Sequence, residues 1–168
     1  AYSPAATTQH SKITRRLREA GLRFSVRAHA HDIETPALDE PGMLERGAAC
    51  YQTHCVQCHG APGIAPHEEG RGMLPIASNL AQSAREWPPQ WLYYVTKKGV
   101  RMSGMPAWEF RMSEQGLWST VAFLTHLPFM THAEFDQLAS RTAQTECPTA
   151  IDAPMHASTK HAETVFRQ

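Results

Sequence analysis

The sequence predicts an all-α fold, and two observations lead to this prediction. In several segments the apolar residues recur at helical spacing, and glycine and proline separate these segments. The pentapeptide Cys55-Val56-Gln57-Cys58-His59 also fits a helical turn, because cysteines three positions apart lie on one side of such a turn. We therefore expect helices arranged around the group that this pentapeptide binds.

The C-x-x-C-H pattern of this pentapeptide is the one that attaches haem covalently. Its two thiols can add to the two vinyl groups of one haem, and His59 can place an imidazole nitrogen on the iron. Redox dithiols and zinc sites also contain C-x-x-C, but a zinc site needs a second ligand pair, which Cys50 and Cys147 do not form. We predict one covalent haem c at Cys55 and Cys58, with His59 as the proximal ligand.

The sixth iron ligand is expected far downstream, in a loop that covers the other haem face. Met105 is the candidate, because Gly104 before it permits a tight backbone and Pro106 after it stiffens the chain. A thioether ligand gives His/Met ligation, which raises the reduction potential and suits electron transfer. Met102 lacks these flanking residues and stands beside Arg101. We therefore predict that Met105, and not Met102, binds the iron.

These motifs resemble those of class I cytochromes c, and most closely the membrane-anchored bacterial c-type cytochromes with a G-M-P-A-W ligand loop. The resemblance covers residues 42–138. It implies a cytochrome c fold wrapped around one haem, and one-electron transfer between redox donor and acceptor proteins. The chain would serve as a carrier or as the relay subunit of a respiratory oxidoreductase complex, and not as an enzyme on its own. The resemblance also implies export to the periplasmic side of the bacterial inner membrane.

Three regions are predicted along the chain. Residues 1–41 form a basic amphipathic helix and a linker, residues 42–139 form the cytochrome c domain, and residues 140–168 form an irregular, mobile tail rich in Thr, Ala, Ser and His. Within the domain, helices are expected over residues 42–54, from residue 79, over residues 88–98, from residue 113 to before Pro128, and over residues 131–139.

The predicted N-terminal helix, residues 12–31, combines an apolar stripe with a high positive charge. Six Lys or Arg residues against one Glu give it a net charge of about +5. A basic amphipathic helix can lie on an anionic membrane surface or on a partner protein. It can also pack on its own domain with its polar face in water, and the sequence leaves these alternatives open. The stripe consists of Ile13, Leu17, Ala20, Phe24 and Ala28.

The resemblance also implies roles for residues around the haem. Gly47 and Tyr51, four positions apart, would let the first helix of the domain cross closely with the helix that begins at residue 113. A proline carbonyl would accept a hydrogen bond from the axial imidazole, and the candidates are Pro62, Pro66 and Pro75.

The two remaining cysteines leave an alternative open. Cys50 is expected as a buried thiol that acts as a small hydrophobe. The alternative is a disulfide with Cys147, for which the tail would have to reach back to the domain.

The bulk properties exclude some classes of partner and structure. The formal net charge is zero, so no nucleic-acid partner is predicted. The printed residues contain no apolar run of about 18 or more residues, and no transmembrane helix is predicted in them. The start at Ala1 suggests a processed or truncated N-terminus, and in the anchored family members a membrane helix precedes a segment like residues 12–31.

Other kinds of haem protein compete with the electron-transfer interpretation. An open-site enzyme of the peroxidase type would lack a strong sixth ligand, which the Met105 loop argues against. In a haem-based sensor a gas would displace a ligand, but no signalling domain is recognised in the printed residues. Bis-His ligation would use His67 or His126, but His67 lies in the loop next to the attachment site.

A basic rim around the exposed haem edge is a further expectation. In the family, the attachment loop and the methionine loop surround this edge, and here the rim would include Lys97, Lys98 and Arg101. Such a rim could meet an acidic redox partner, or it could only keep the protein soluble.

Overall fold

The computed structural model describes residues 11–152, and this part of the chain is all-α. It contains eight α-helices and no strand beyond two isolated bridges, which confirms the predicted fold class. The helices are α1 Lys12–His29, α2 Met43–His54, α3 Val56–His59, α4 Glu68–Arg71, α5 Leu80–Glu86, α6 Pro89–Lys98, α7 Glu114–His126 and α8 His132–Arg141.

Most of the helix ends lie where the sequence predicted them, because capping residues stand at these positions. The side chains of Asn79 and Ser113 accept hydrogen bonds from backbone N–H groups in the first turns of α5 and α7. Thr131 and Glu134 form a capping box at the start of α8. Gly99 ends α6 with a positive φ of 67°, a conformation that glycine adopts without cost. The short helix α4, which lies between the attachment motif and α5, was not predicted.

The core of the domain forms where α2 crosses α7. A Cβ atom on Gly47 would lie 1.9 Å from the carbonyl oxygen of Ser119, so only glycine permits this approach of the two backbones. One turn further on, the rings of Tyr51 and Phe123 pack with their centroids 4.9 Å apart. The predicted close crossing at Gly47 and Tyr51 is therefore confirmed.

The N-terminal helix α1 packs on α6 and α5 through one of its faces. Val26 and Ala30 are buried there, and Arg23 forms an ion pair with Glu86. The His29 and Tyr94 rings stack with a centroid separation of 5.6 Å. Residues 30–42 are irregular, as expected for a linker, but Ile33 and Leu38 pack against the core. The helix is thus attached to the domain and is not an independent arm.

The segment after α8 returns to the core. Cys50 and Cys147 form a disulfide, so the expectation of a buried free thiol at Cys50 was wrong. Ser113 N–H donates to the Pro148 carbonyl at 3.0 Å, and Ala150 N–H donates to the Arg111 carbonyl at 3.1 Å. Residues 142–152 are therefore held against α2 and α7, unlike the mobile tail predicted from residue 140 onward.

The remaining parts of the two predicted extensions, residues 1–10 and 153–168, lie outside the described residues. Within residues 11–152, every helix is too short or too polar to span a bilayer.

Candidate haem site

The predicted attachment residues lie together in one turn after α2. Cys55 is buried and Cys58 is half-buried, and neither takes part in a disulfide. The N–H groups of Cys58 and His59 both donate to the Cys55 carbonyl, at 3.1 and 2.9 Å, which closes the turn. Burial, together with the nearby Cys58, raises the pKa of the Cys55 thiol to about 12. Without haem, this thiol would therefore stay protonated at neutral pH.

The imidazole of His59 is fixed by a backbone oxygen. Its Nδ1 donates to the carbonyl of Ser78 at 2.7 Å, so Nε2 keeps its lone pair free for a metal. Burial lowers the pKa of His59, and the bond to Ser78 partly opposes that shift. The expected acceptor was a carbonyl of Pro62, Pro66 or Pro75. That expectation was wrong, because the residue directly before the N-cap of α5 supplies the acceptor.

The attachment turn is supported from outside by the segment that includes α4. A Cβ atom on Gly70 would lie 2.7 Å from the Cα of Cys58, so this glycine lets α4 pack directly on the turn. His67 N–H donates to the Gln57 carbonyl at 2.9 Å. The side chain of His67 is exposed at the start of α4, and His126 donates its Nδ1–H to the Ala122 carbonyl of its own helix.

Residues 99–107 form a closed loop that presents Met105. Val100 N–H donates to the Met105 carbonyl at 3.2 Å. The Ser103 hydroxyl donates to the Val100 carbonyl at 2.7 Å and accepts from Met105 N–H at 3.2 Å. Gly99 closes the base of the loop, because a Cβ there would lie 2.6 Å from the carbonyl carbon of Pro106. These contacts hold the loop in one conformation.

The three methionines near this loop differ in their surroundings. Met102 has a positive φ of 59° and is 85% exposed. Met105 is half-buried and packs against the core that includes Cys55. Met73, which the sequence analysis did not single out, is half-buried beside the loop, and its Sδ lies 2.3 Å from where a Cβ on Gly104 would be. Met105 and Met73 are therefore the half-buried thioethers beside this loop, while Met102 faces water.

A cavity of about 440 Å³ lies beside His59. Its walls come from α2, from the loop after the attachment turn, from the start of α5 and from the segment after α7. Cys55, Cys58 and Met105 are not in its lining, so the cavity accounts for the His59 side of a haem site only. The apolar or aromatic side chains in its lining include Tyr51, Pro66, Leu80, Leu127 and Met130.

The thiols, the free Nε2 of His59 and the adjacent cavity together fit a covalent haem. Residues 42–124 match the family model described as cytochrome c oxidase, cbb3-type, subunit III. This region is a class I cytochrome c domain. The domain carries covalently bound haem c with its iron. No curated protein and no solved structure matches the chain significantly.

In this cytochrome c domain, His54 joins the attachment turn to the methionine loop. Its ring lies 4.8 Å from the ring of Trp108, which follows the loop, and Arg111 lies 5.5 Å over the same indole. Burial is the main cause that lowers the pKa of His54, and the positive charge of Arg111 adds to it.

The predicted basic rim of the domain is largely neutralised. Lys97 pairs with Glu114 at 3.0 Å, and Lys98 pairs with Glu109 at 2.7 Å. Arg101 is exposed and has no carboxylate partner among the described residues. Within the part of the chain that the structure describes, the rim therefore presents one free cation, Arg101, beside the exposed Met102, and not a cluster of three.

Proposed function

We propose that the chain transfers single electrons through a haem attached at Cys55 and Cys58, with His59 and Met105 as iron ligands. The observation that carries this proposal is the fixed imidazole of His59, whose Nδ1–H is held by Ser78 and whose Nε2 is free, beside a cavity of about 440 Å³. The haem iron would supply a one-electron couple between its ferric and ferrous states.

The protein's own part is to hold both ligands in place. The bond from His59 to Ser78 sets the tautomer and the orientation of the ring. The hydrogen bonds within residues 99–107 keep Met105 half-buried against the core. A fixed loop of this kind favours a closed site over the open site that a peroxidase-like enzyme or a ligand sensor requires. The surface positions of His67 and His126 give no support to bis-His ligation.

The electron partners are proposed from the family match. The matching family is described as an oxidase subunit, so we propose a redox donor and acceptor within or next to a membrane-bound oxidoreductase complex. We propose that the chain works on the periplasmic side of the bacterial inner membrane. The Cys50–Cys147 disulfide supports this location, because disulfides persist in oxidising compartments and are rare in the cytosol.

Haem attachment tests the proposal. The wild-type holoprotein should retain its haem after denaturation and extraction with acidified organic solvent, and should titrate as a one-electron couple. The double variant Cys55→Ala/Cys58→Ala should lose the haem on extraction. The matched control Cys50→Ala/Cys147→Ala removes the same number of cysteines but should keep it.

Two results would contradict the proposal. One is a wild-type haem that extracts freely. The other is a ferrous wild-type protein that binds carbon monoxide readily, which would favour an open-site enzyme or a sensor.

A further inference from the structure

The apolar stripe of α1 faces away from the domain. Ile13, Leu17 and Phe24 are 72%, 69% and 77% exposed, and Ala20 and Ala28 are exposed as well. A surface helix normally turns its apolar stripe to the core, but α1 packs on α6 and α5 through its other side. We call the five stripe residues the outer face of α1.

The packing side of α1 is already satisfied. Val26 and Ala30 are 2% and 0% exposed, and Arg23 pairs with Glu86 and lies 5.9 Å over the ring of Trp87. The outer face is thus not needed to hold the helix on the domain. Its large apolar side chains are left in water, where a contiguous apolar patch marks an interaction site.

Unpaired cations border this outer face. Arg16 follows Ile13 by three residues and Arg27 follows Phe24 by three, a spacing that places neighbouring side chains together on a helix. Neither arginine has a carboxylate partner in the described part of the chain. Residues 12–29 carry a net charge of +5, so the rest of the chain, with an overall charge of zero, carries −5.

From this combination we infer that the outer face of α1 binds the surface of an anionic lipid bilayer. Apolar side chains on one helix face, with cations at the border, enter the boundary between headgroups and acyl chains while the cations meet anionic headgroups. Ile13 to Phe24 extends over roughly 16 Å of convex helix. A protein groove would have to match each arginine with a fixed carboxylate, whereas lipid headgroups move to meet the charge.

Membrane binding through this face would also orient the cytochrome c domain. Since α1 is packed on α6, the domain cannot turn freely about the linker once the helix lies on the bilayer. This inference rests on the proposed function only for the location of the chain at the membrane. The binding itself can be tested separately, because vesicle binding is measured independently of haem attachment.

Co-sedimentation of the holoprotein with vesicles tests the inference. We expect binding at low salt to vesicles of equal parts phosphatidylglycerol and phosphatidylcholine, and little binding to pure phosphatidylcholine. Arg16→Gln/Arg27→Gln should lower the vesicle partition coefficient on the order of 30-fold. Each of the two arginines is expected to add about the same favourable free energy of binding near an anionic surface. Arg71→Gln/Arg101→Gln, which removes the same charge elsewhere, should change it much less.

The apolar part has its own matched control. Ile13→Ser/Leu17→Ser/Phe24→Ser should reduce vesicle binding more than tenfold. Phe110→Ser/Phe129→Ser alters side chains that are 79% and 82% exposed outside α1 and should leave binding unchanged. The haem spectrum of every variant is recorded, so a failure of haem attachment is separated from a failure of binding.

Two results would overturn the inference. One is equal vesicle binding by the wild type and the α1 variants. The other is absence of vesicle binding with α1-dependent co-purification of a membrane complex, which would assign the face to a protein partner.

Discussion

At the scale of single residues, His54 links protonation to the packing around the haem site. The His54 ring packs against the Trp108 ring, and the Arg111 guanidinium lies over the same Trp108 ring. Burial and the Arg111 charge both disfavour the protonated imidazole, so the pKa of His54 lies below its ordinary value of 6.5 in the folded protein. The unfolded chain then binds a proton at His54 more readily than the folded chain does.

Through His54, the free energy of unfolding should therefore fall as the pH is lowered below about 6.5. At higher pH the imidazole is neutral in both the folded and the unfolded chain, so His54 should not make stability depend on pH there. His54→Gln keeps a polar side chain but removes the titration. We expect the difference in stability between about pH 5 and about pH 8 to be smaller in this variant than in the wild type. Guanidinium unfolding curves at both pH values measure it, and an identical pH dependence in the two proteins would contradict the assignment.

The sequence alone was enough to predict the site residues that act through their own side chains. Cys55, Cys58 and His59 follow from one motif, and the flanks of Met105 singled it out from Met102. The Ser78 acceptor could not be assigned this way, because every residue carries a backbone carbonyl and only the fold selects one. Met73 carries no local signal either, since its place beside Gly104 depends on how two loops meet.

At the scale of helices, the crossing of α2 and α7 depends on one missing side chain. Gly47→Ala would place a Cβ against the Ser119 carbonyl, and this backbone contact can be relieved only by separating the helices. We expect a loss of about 3 kcal/mol or more in the free energy of unfolding. Guanidinium unfolding of the holoprotein measures this loss.

Gly21→Ala is the matched control for that variant. Gly21 lies in α1 with nothing within 4 Å of its Cβ position. Alanine there should stabilise the protein by about 0.5–1 kcal/mol, through its higher helix propensity. A Gly47→Ala variant as stable as the wild type would show that the helices do not cross this closely.

The periodicity of α1 predicted its existence but could not decide what its stripe contacts. A stripe of Ile, Leu, Ala and Phe looks the same whether a core or another surface covers it. Residues off the stripe, Val26 and Ala30, make the contact with the domain instead. That choice depends on the shape of α6 and α5, which the local pattern of α1 does not contain.

At the scale of the whole molecule, the chain is tied together by contacts between distant segments. The disulfide joins Cys50 in α2 to Cys147 across 97 residues, and the segment around it pairs with Arg111 and Ser113. The composition of residues 140–168 indicated a tail, because small polar residues carry no periodic pattern. The presence of Cys50 and Cys147 in the sequence could not show that residues 142–152 return to the core. Whether two cysteines form a disulfide depends on their distance in the folded chain.

We propose that Met105 would bind the haem iron together with His59, and carbon monoxide binding to the ferrous protein tests this proposal most directly. Met105→Leu should bind carbon monoxide and show a lowered midpoint potential, because the thioether that fills the site and raises the potential is gone. Met73→Leu and Met102→Leu, which keep side-chain volume at the neighbouring positions, should retain the wild-type spectrum and remain closed to carbon monoxide. Carbon monoxide binding by Met73→Leu or Met102→Leu, together with no binding by Met105→Leu, would contradict the assignment of Met105 as an iron ligand.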